Sequence, residues 1–175
     1  MNKQFLANEI LYLRALEPED LTALYEIEND PSLWDVSNIT VPYSKFVLRQ
    51  YIEASQSDMF ADRQLRLMII RSTDNQLLGT IDITDFHPLH GRGQVGIVIK
   101  KEFRQQGYAF QALDLVCDYA FKFLRIKQLY AYVTANNEPS IQLFKSSKFE
   151  TAGLLKKWVV INGEFQDTYI FQRIN

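Results

Sequence analysis

The sequence predicts a single mixed α/β domain of about seven strands and about four helices. Three observations carry this reading. A length of 175 residues suits one domain with a sizeable core. Hydrophobic residues make up 47% and charged residues 23%, the balance of an ordinary globular protein. Short alternating apolar runs are interleaved with segments of helical period, in the order β-α-α-β-β-β-α-β-α-β-β. No repeat, low-complexity tract or Pro/Gly/Ser linker breaks residues 1–175, so one domain is expected throughout.

Residues 10–16 alternate well enough for a first strand. Glu17-Pro18-Glu19-Asp20 then opens a helix, with proline and acids in its first turn. Leu21, Leu24, Tyr25 and Glu28 share one face of it, and Asn29-Asp30-Pro31 ends it before a loop to Pro42. Ser44 can cap a second helix to about Ser55, with Val47, Leu48, Tyr51 and Ile52 as its buried stripe. Residues 64–71 and 77–86 read as strands around a Ser72-Thr73-Asp74-Asn75 turn. In the second of these, Ile81 and Ile83 point one way and Thr80, Asp82 and Thr84 the other. Asp85 falls on the isoleucine side unless the strand bends near His87-Pro88. The next strand, 94–100, carries an apolar run that suggests burial on both faces. A long helix follows from Gly107 to about Leu124, then a strand over 128–134 and a short helix from Asn136 to about Ser147. Strands 154–161 and 165–173 flank Asn162-Gly163, a strong hairpin signal.

The net charge is −2, which argues against a dedicated nucleic-acid binder. It conceals a split. Residues 1–99 carry 8 bases and 14 acids, net −6, and residues 100–175 carry 11 bases and 7 acids, net +4. The two parts suit ligands of opposite sign. A single cysteine, Cys117, rules out an internal disulfide and lies on a buried helical stripe, where core packing is its simplest role. The opening MNKQFLANEI lacks the apolar run of a secretory signal, and no run of about 18 apolar residues suggests a membrane span. A cytoplasmic location is expected.

The segment that carries chemistry runs from Val95 to Ala109. A strand leads through a short loop, Arg104-Gln105-Gln106-Gly107, straight into a long helix. A helix N-terminus offers unpaired N–H groups and a positive dipole end. Glycine lets a ligand approach the backbone, and Lys100, Lys101 and Arg104 add charge, so the loop is a candidate anion cradle. A tight turn with no ligand is the alternative.

Arg104-Gln-Gln-Gly107-Tyr-Ala109 resembles the Gln/Arg-x-x-Gly-x-Gly/Ala pyrophosphate loop of the GNAT superfamily of N-acetyltransferases. The resemblance extends over nearly the whole chain. Leu13-Arg14-Ala-Leu-Glu-Pro-Glu-Asp20 looks like that superfamily's opening strand and helix, and Gly79-Thr-Ile-Asp-Ile like its third strand. Asn136-Asn-Glu-Pro-Ser140-Ile-Gln-Leu-Phe144-Lys-Ser-Ser-Lys-Phe149 is similar to its Asn-x-x-(x)-Ser/Ala-x-x-Leu-Tyr-x-x-x-Gly-Phe segment. The closing hairpin is also similar. The likeness is strongest to the branch of ribosomal-protein N-terminal and spermidine/diamine acetyltransferases. It implies a mostly antiparallel, twisted seven-strand sheet splayed between the fourth and fifth strands.

The resemblance also implies acetyl-CoA as co-substrate, with no metal. Backbone groups of Ile97, Val98 and Ile99 would hold the pantetheine arm and thioester carbonyl. Arg104 and the N–H groups of Gln105, Gln106, Gly107, Tyr108 and Ala109 would take the pyrophosphate. Asn136, Ser140 and Phe144 complete the cofactor side, although Phe121, Phe123, Phe144 and Phe149 read more simply as core. Two departures stand out. Many members carry a tyrosine at the position of Phe144, where it protonates the departing thiolate, and a glycine at that of Lys148. Tyr108, Tyr132, Ser140 or water could substitute for that acid.

The acceptor implied is a small primary amine, polyamines and diamines ahead of protein N-termini. An amine with pKa near 10.4 must lose a proton to attack, and a carboxylate can accept it. Asp82 and Asp85 are the candidate bases or ammonium ligands, against a reading as solvated strand acids; Gln94 stands where that branch often has another acid. Seven acids and no Lys or Arg lie between Glu17 and Asp35, either a solvated face or an acidic wall for a cation. Glu28, Trp34, Asp35 and Tyr43 are the candidate acceptor contacts. His87 and His90 read as loop residues, with His90 an alternative proton acceptor. A protein N-terminal acetyltransferase and a non-catalytic acyl-CoA-binding module are the competing functions. A homo-oligomer is compatible with each.

Overall fold

The computed structural model describes residues 5–34, 41–55 and 58–175, the side chain of Trp34 excepted. Seven strands form one sheet in the order β1-β2-β3-β4-β5-β7-β6. They are β1 (Leu11–Ala15), β2 (Leu65–Arg71), β3 (Leu77–His87), β4 (Arg92–Ile99), β5 (Gln128–Thr134), β6 (Glu150–Ile161) and β7 (Glu164–Ile174). Every neighbouring pair is antiparallel except β4 and β5. The expected mixed architecture and antiparallel sheet are therefore present.

Local chemistry explains most helix boundaries. The helices are α1 (Leu21–Glu28), α2 (Pro31–Trp34), α3 (Lys45–Ala54), α4 (Met59–Asp62), α5 (Tyr108–Asp118) and α6 (Glu138–Ser146). Ser44 caps α3 by accepting from the Val47 N–H, and Asn137 caps α6 by accepting from that of Ser140. Pro18–Asp20 forms a 3₁₀ turn before α1, closed by the Arg14–Asp20 ion pair at 2.6 Å. Asn162 and Gly163 both have positive φ, 52° and 82°, as a two-residue I′ hairpin requires.

The main core lies between the sheet and α5–α6. It joins Leu67, Ile69, Ile81, Ile83 and Val95 to Leu113, Val116, Ile141 and Phe144. On the opposite face α1 and α3 meet through Leu24, Leu48 and Ile52. Several expectations need correction. Val47 is 45% exposed, because α3 buries only a narrow stripe. Phe123 is 58% exposed and stacks on Tyr119, not on the core. The helix that begins at Tyr108 ends in a wider π turn over Tyr119–Phe123, where Leu124 donates back to the Tyr119 carbonyl. Ile97 and Val98 are half-buried and Gly96 is exposed, so β4 is not covered on both faces. The reason is topological: β5 leaves β4 early.

Candidate active site

β4 and β5 pair over three positions, Arg92↔Gln128, Gly93↔Leu129 and Gln94↔Tyr130. From Val95 onward β4 faces a gap. The alternation of the β3–β4 ladder sets what it presents there. Lys100 donates to the Leu78 carbonyl at 2.8 Å on the β3 side, so the N–H and C=O of Ile97 and Ile99 turn to the other edge, toward β5. Arg104 Nε donates to the Ile99 carbonyl at 2.9 Å, which ties the loop after β4 to this edge.

That loop leads into α5. Gln105 and Gly107 have positive φ, 60° and 83°. Gly107 sits at the N-cap of α5, where, among the described residues, no side chain caps the helix and a Cβ would meet nothing within 4 Å. The first N–H groups of α5 and its positive dipole end are thus left without a side-chain cap among the described residues. Arg104, Gln105 and Gln106 are exposed beside them, and Lys101 adds charge. These residues fit a pyrophosphate, and the gap edge fits an amide-rich arm. Asn136 is exposed at the end of β5, with Ser140 half-buried in the first turn of α6. Phe144 stands apart: it is 4% exposed and packs on Phe149 and Phe171, so its ring belongs to the core. Tyr108 is half-buried, and its hydroxyl accepts from Arg71 at 3.3 Å.

The second face of the same strands is polar. Register places Arg66, Asp82 and Gly96 side by side across β2, β3 and β4, with Thr84, Gln94 and Tyr130 in the next row. Asp82 is not a free acid. Its two oxygens accept from Arg66 Nε and Nη2 at 2.8 and 3.0 Å, while Arg66 Nη1 donates to Glu28 at 2.5 Å. The Tyr51 ring lies 5.5 Å from this guanidinium. Burial alone would lower the Arg66 pKa, but Asp82 and Glu28 outweigh it and hold it well above its ordinary value. The cluster has net charge −1. Beside it, a Cβ on Gly96 would meet nothing within 4 Å among the described residues.

Asp85 is brought to Tyr130. The β3–β4 register shifts between Thr84 and His87, and Asp85 adopts φ 48°. This is the bend the sequence left open, and it lets the Tyr130 hydroxyl donate to Asp85. Tyr43 lies by α1: its N–H donates to Asn29 Oδ1 at 2.8 Å, and Asn29 Nδ2 donates to its carbonyl at 3.0 Å. A cleft of about 510 Å³ between Tyr25, Asn29, Asp30, Val98, Lys100 and Lys101 opens here, while a second of about 670 Å³ lies near Asp62, Asp85 and His87. The Trp34 side chain and Asp35 lie outside the described residues. His87 and His90 stack at 4.2 Å in their loop.

Sequence reading missed Arg66 and Tyr130. A charge inside the Leu65-Arg66-Leu67-Met68 alternation signalled that some partner was needed. Nothing local signalled the Tyr130 contact, which spans 45 residues.

Residues 11–150 match the family model described as an acetyltransferase (GNAT) domain. A spermidine N(1)-acetyltransferase of Escherichia coli strain K12 is 28% identical over 162 residues, covering 89% of this chain and 81% of that one. Among solved structures, the spermidine N-acetyltransferase from Vibrio cholerae in complex with CoA and spermine has a TM-score of 0.83 at 23% identity, covering 95% of this chain and 96% of that one. A dodecameric structure of the spermidine N-acetyltransferase from the same organism has a TM-score of 0.79 at 23% identity, covering 95% of each chain. At these identities the structural likeness speaks to the fold. No helix among the described residues is long and apolar enough to cross a membrane.

Proposed function

The chain belongs to the GNAT acetyltransferase family, and on that premise we propose that it moves the acetyl group of acetyl-CoA to a primary amine of a small cationic acceptor, a polyamine or diamine, by direct attack within a ternary complex. The carrying observation is the gap between β4 and β5, with basic and helix-terminal groups at one side and a net-negative cluster on the strand face at the other. Acetyl-CoA supplies a thioester, whose thiolate leaves with a conjugate-acid pKa of about 8.5.

The residues divide the work. Arg104 and the N–H groups from Gln105 to Ala109 bind the pyrophosphate, with Asn136 across the gap. The edge of β4 at Ile97–Ile99 aligns the thioester and offers a preorganised N–H to charge developing on its oxygen. The Glu28–Arg66–Asp82 cluster draws one ammonium to the face beside Gly96, because two carboxylates against one guanidinium leave one negative charge unmatched. Tyr43, beside Asn29 at the end of α1, borders the acceptor entry. The amine needs a proton acceptor, and Asp85, with one oxygen engaged by Tyr130, suits this better than Asp82, both of whose oxygens are taken by Arg66. The absence of a hydroxyl at Phe144 fits a thiolate that departs without a tyrosine acid.

Steady-state assays with acetyl-CoA and a panel of diamines, polyamines and N-terminal peptides test the reading. Transfer to a polyamine or diamine is expected. Preference for peptides would replace the small acceptor with a protein N-terminus, and CoA binding without transfer would favour a binding module. Arg104→Ala is expected to weaken CoA about tenfold by calorimetry, and unchanged affinity would sink the cradle assignment. Self-association is part of the reading. Trp158, Val160 and Phe165, each more than half exposed on the β6–β7 hairpin, support it, as does the dodecameric neighbour. Sedimentation velocity should give a species larger than 20.4 kDa.

A further inference from the structure

We propose that Tyr130, held by Asp85, is a positioning residue that orients the acceptor amine at the mouth of the β4–β5 gap. The inference rests on the acetyl-transfer reading above and adds to it a residue that no sequence motif marks.

The geometry starts from the bulge in β3. Thr84 faces Gln94 and His87 faces Arg92, so Asp85 and Phe86 share the place opposite Gly93. In an unbroken strand Asp85 would follow Ile81 and Ile83 into the core. The extra residue lets Phe86 take the buried position, at 6% exposure, and frees Asp85 to reach Tyr130. Asp85 takes φ 48° to do so, a conformation that aspartate tolerates better than most residues and that still costs free energy. Strain of this kind persists where the fold uses it.

Tyr130 stands opposite Gln94, the last residue of β4 paired to β5 before the gap opens. Its ring meets Tyr132 edge-on at 5.8 Å, which steadies it. Its single proton is committed to Asp85. Burial, reinforced by the bond to Asp85, pushes its ionisation above the ordinary range, so the phenol stays protonated in this bond. The phenolic oxygen then has only lone pairs left to offer. It is an acceptor for an N–H, backed by the charge of Asp85 behind it. An amine held by one N–H at this place keeps its other groups free to turn the nitrogen toward the gap edge. Proton transfer is not required of Tyr130; it fixes direction.

Tyr130→Phe removes the acceptor and keeps the ring. With an amine that the wild-type protein acetylates, KM for the amine should rise about tenfold, while CoA affinity and melting temperature stay within error. Asp85→Asn, which also removes the proposed proton acceptor, should raise amine KM similarly and lower kcat besides, Asp85→Glu should partly restore both, and in amine KM the Tyr130→Phe/Asp85→Asn double variant should be no worse than the poorer single one, as for two groups acting as a unit. An active wild type with Tyr130→Phe within twofold in amine KM overturns this assignment alone. Loss of CoA affinity or of melting temperature that accounts for the KM change assigns Tyr130 a structural role and also overturns it. A wild-type protein that acetylates no amine overturns the acetyl-transfer reading, and this assignment with it.

Discussion

Arg66 is the residue on which the acceptor side turns. It joins the end of α1, through Glu28, to β3, through Asp82, under the ring of Tyr51 from α3. Its side chain is 23% exposed and those of its partners 13% and 20%, so removal leaves two poorly solvated carboxylates facing each other. Arg66→Ala should cost about 2–4 kcal/mol in chemical denaturation, more than a surface arginine would. The sequence shows the charge at this position, but its partners are 38 and 16 residues distant and no local pattern selects them. Cys117 was legible, because a thiol on an apolar helical stripe has one simple fate. Burial pushes its pKa up to about 12 from 9.0. It should resist iodoacetamide at pH 8 in the native protein and react fully in denaturant. The raised native pKa means that folding retains this proton. The stability it contributes is therefore present below pH 9.0 and is lost as pH rises toward about 12. Asp20 works in the opposite direction. Burial raises its pKa, yet the Arg14 fork and the Glu17 N–H outweigh this and hold it below the ordinary 3.8. Its contribution should be present at neutral pH and fade as acid takes the pH below 3.8, and Asp20→Asn should flatten that limb of an acid unfolding curve.

Among the elements, β3 and β4 hold the two most informative glycines. A Cβ on Gly79 would stand 2.0 Å from the Val98 carbonyl oxygen and 2.9 Å from its carbon. Both are backbone atoms and cannot swing aside, so Gly79→Ala must part β3 from β4 and should cost about 3 kcal/mol or more, read as lost soluble yield and melting temperature. Gly96 is the contrast. Gly96→Val should fold normally, since its Cβ meets nothing within 4 Å among the described residues and valine suits a strand. The same side chain would stand opposite Asp82. Amine KM should rise at least tenfold while CoA affinity holds, and an unchanged KM would move the acceptor away from this face. Elements defined by neighbouring residues were legible: the Ser44 cap, the Asn162-Gly163 turn and the strand over 128–134. The four-residue helices α2 and α4 are too short for a periodicity to develop. The register shifts in β2–β3, β3–β4 and β6–β7 are properties of pairs of strands, and neither strand alone encodes them.

Over the whole molecule, the charge split now has an address. The basic part of the chain supplies α5 and its loop, and the acidic part supplies α1 and β3. The separation is not clean, because Arg66 belongs to the acidic part and Asp82 spends its charge on it. CoA affinity should fall several-fold between 0.05 and 0.5 M salt as the Debye length shortens to a few ångström. Strand number and order of elements could be read from the pattern of apolar residues. The splay between β4 and β5 entered through family resemblance, since α5 and 28 residues separate Ile99 from Gln128. That seam has a consequence for solvent protons. In the middle of a seven-strand sheet, peptide hydrogens normally exchange with deuterium only on deep unfolding. Those of Ile97 and Ile99 look into the gap, and they should exchange within seconds to minutes while Thr80, in the adjoining ladder, stays protected for far longer. Filling the gap with CoA should slow the first pair and leave the second unmoved, a readout of cofactor docking that needs neither acceptor nor turnover.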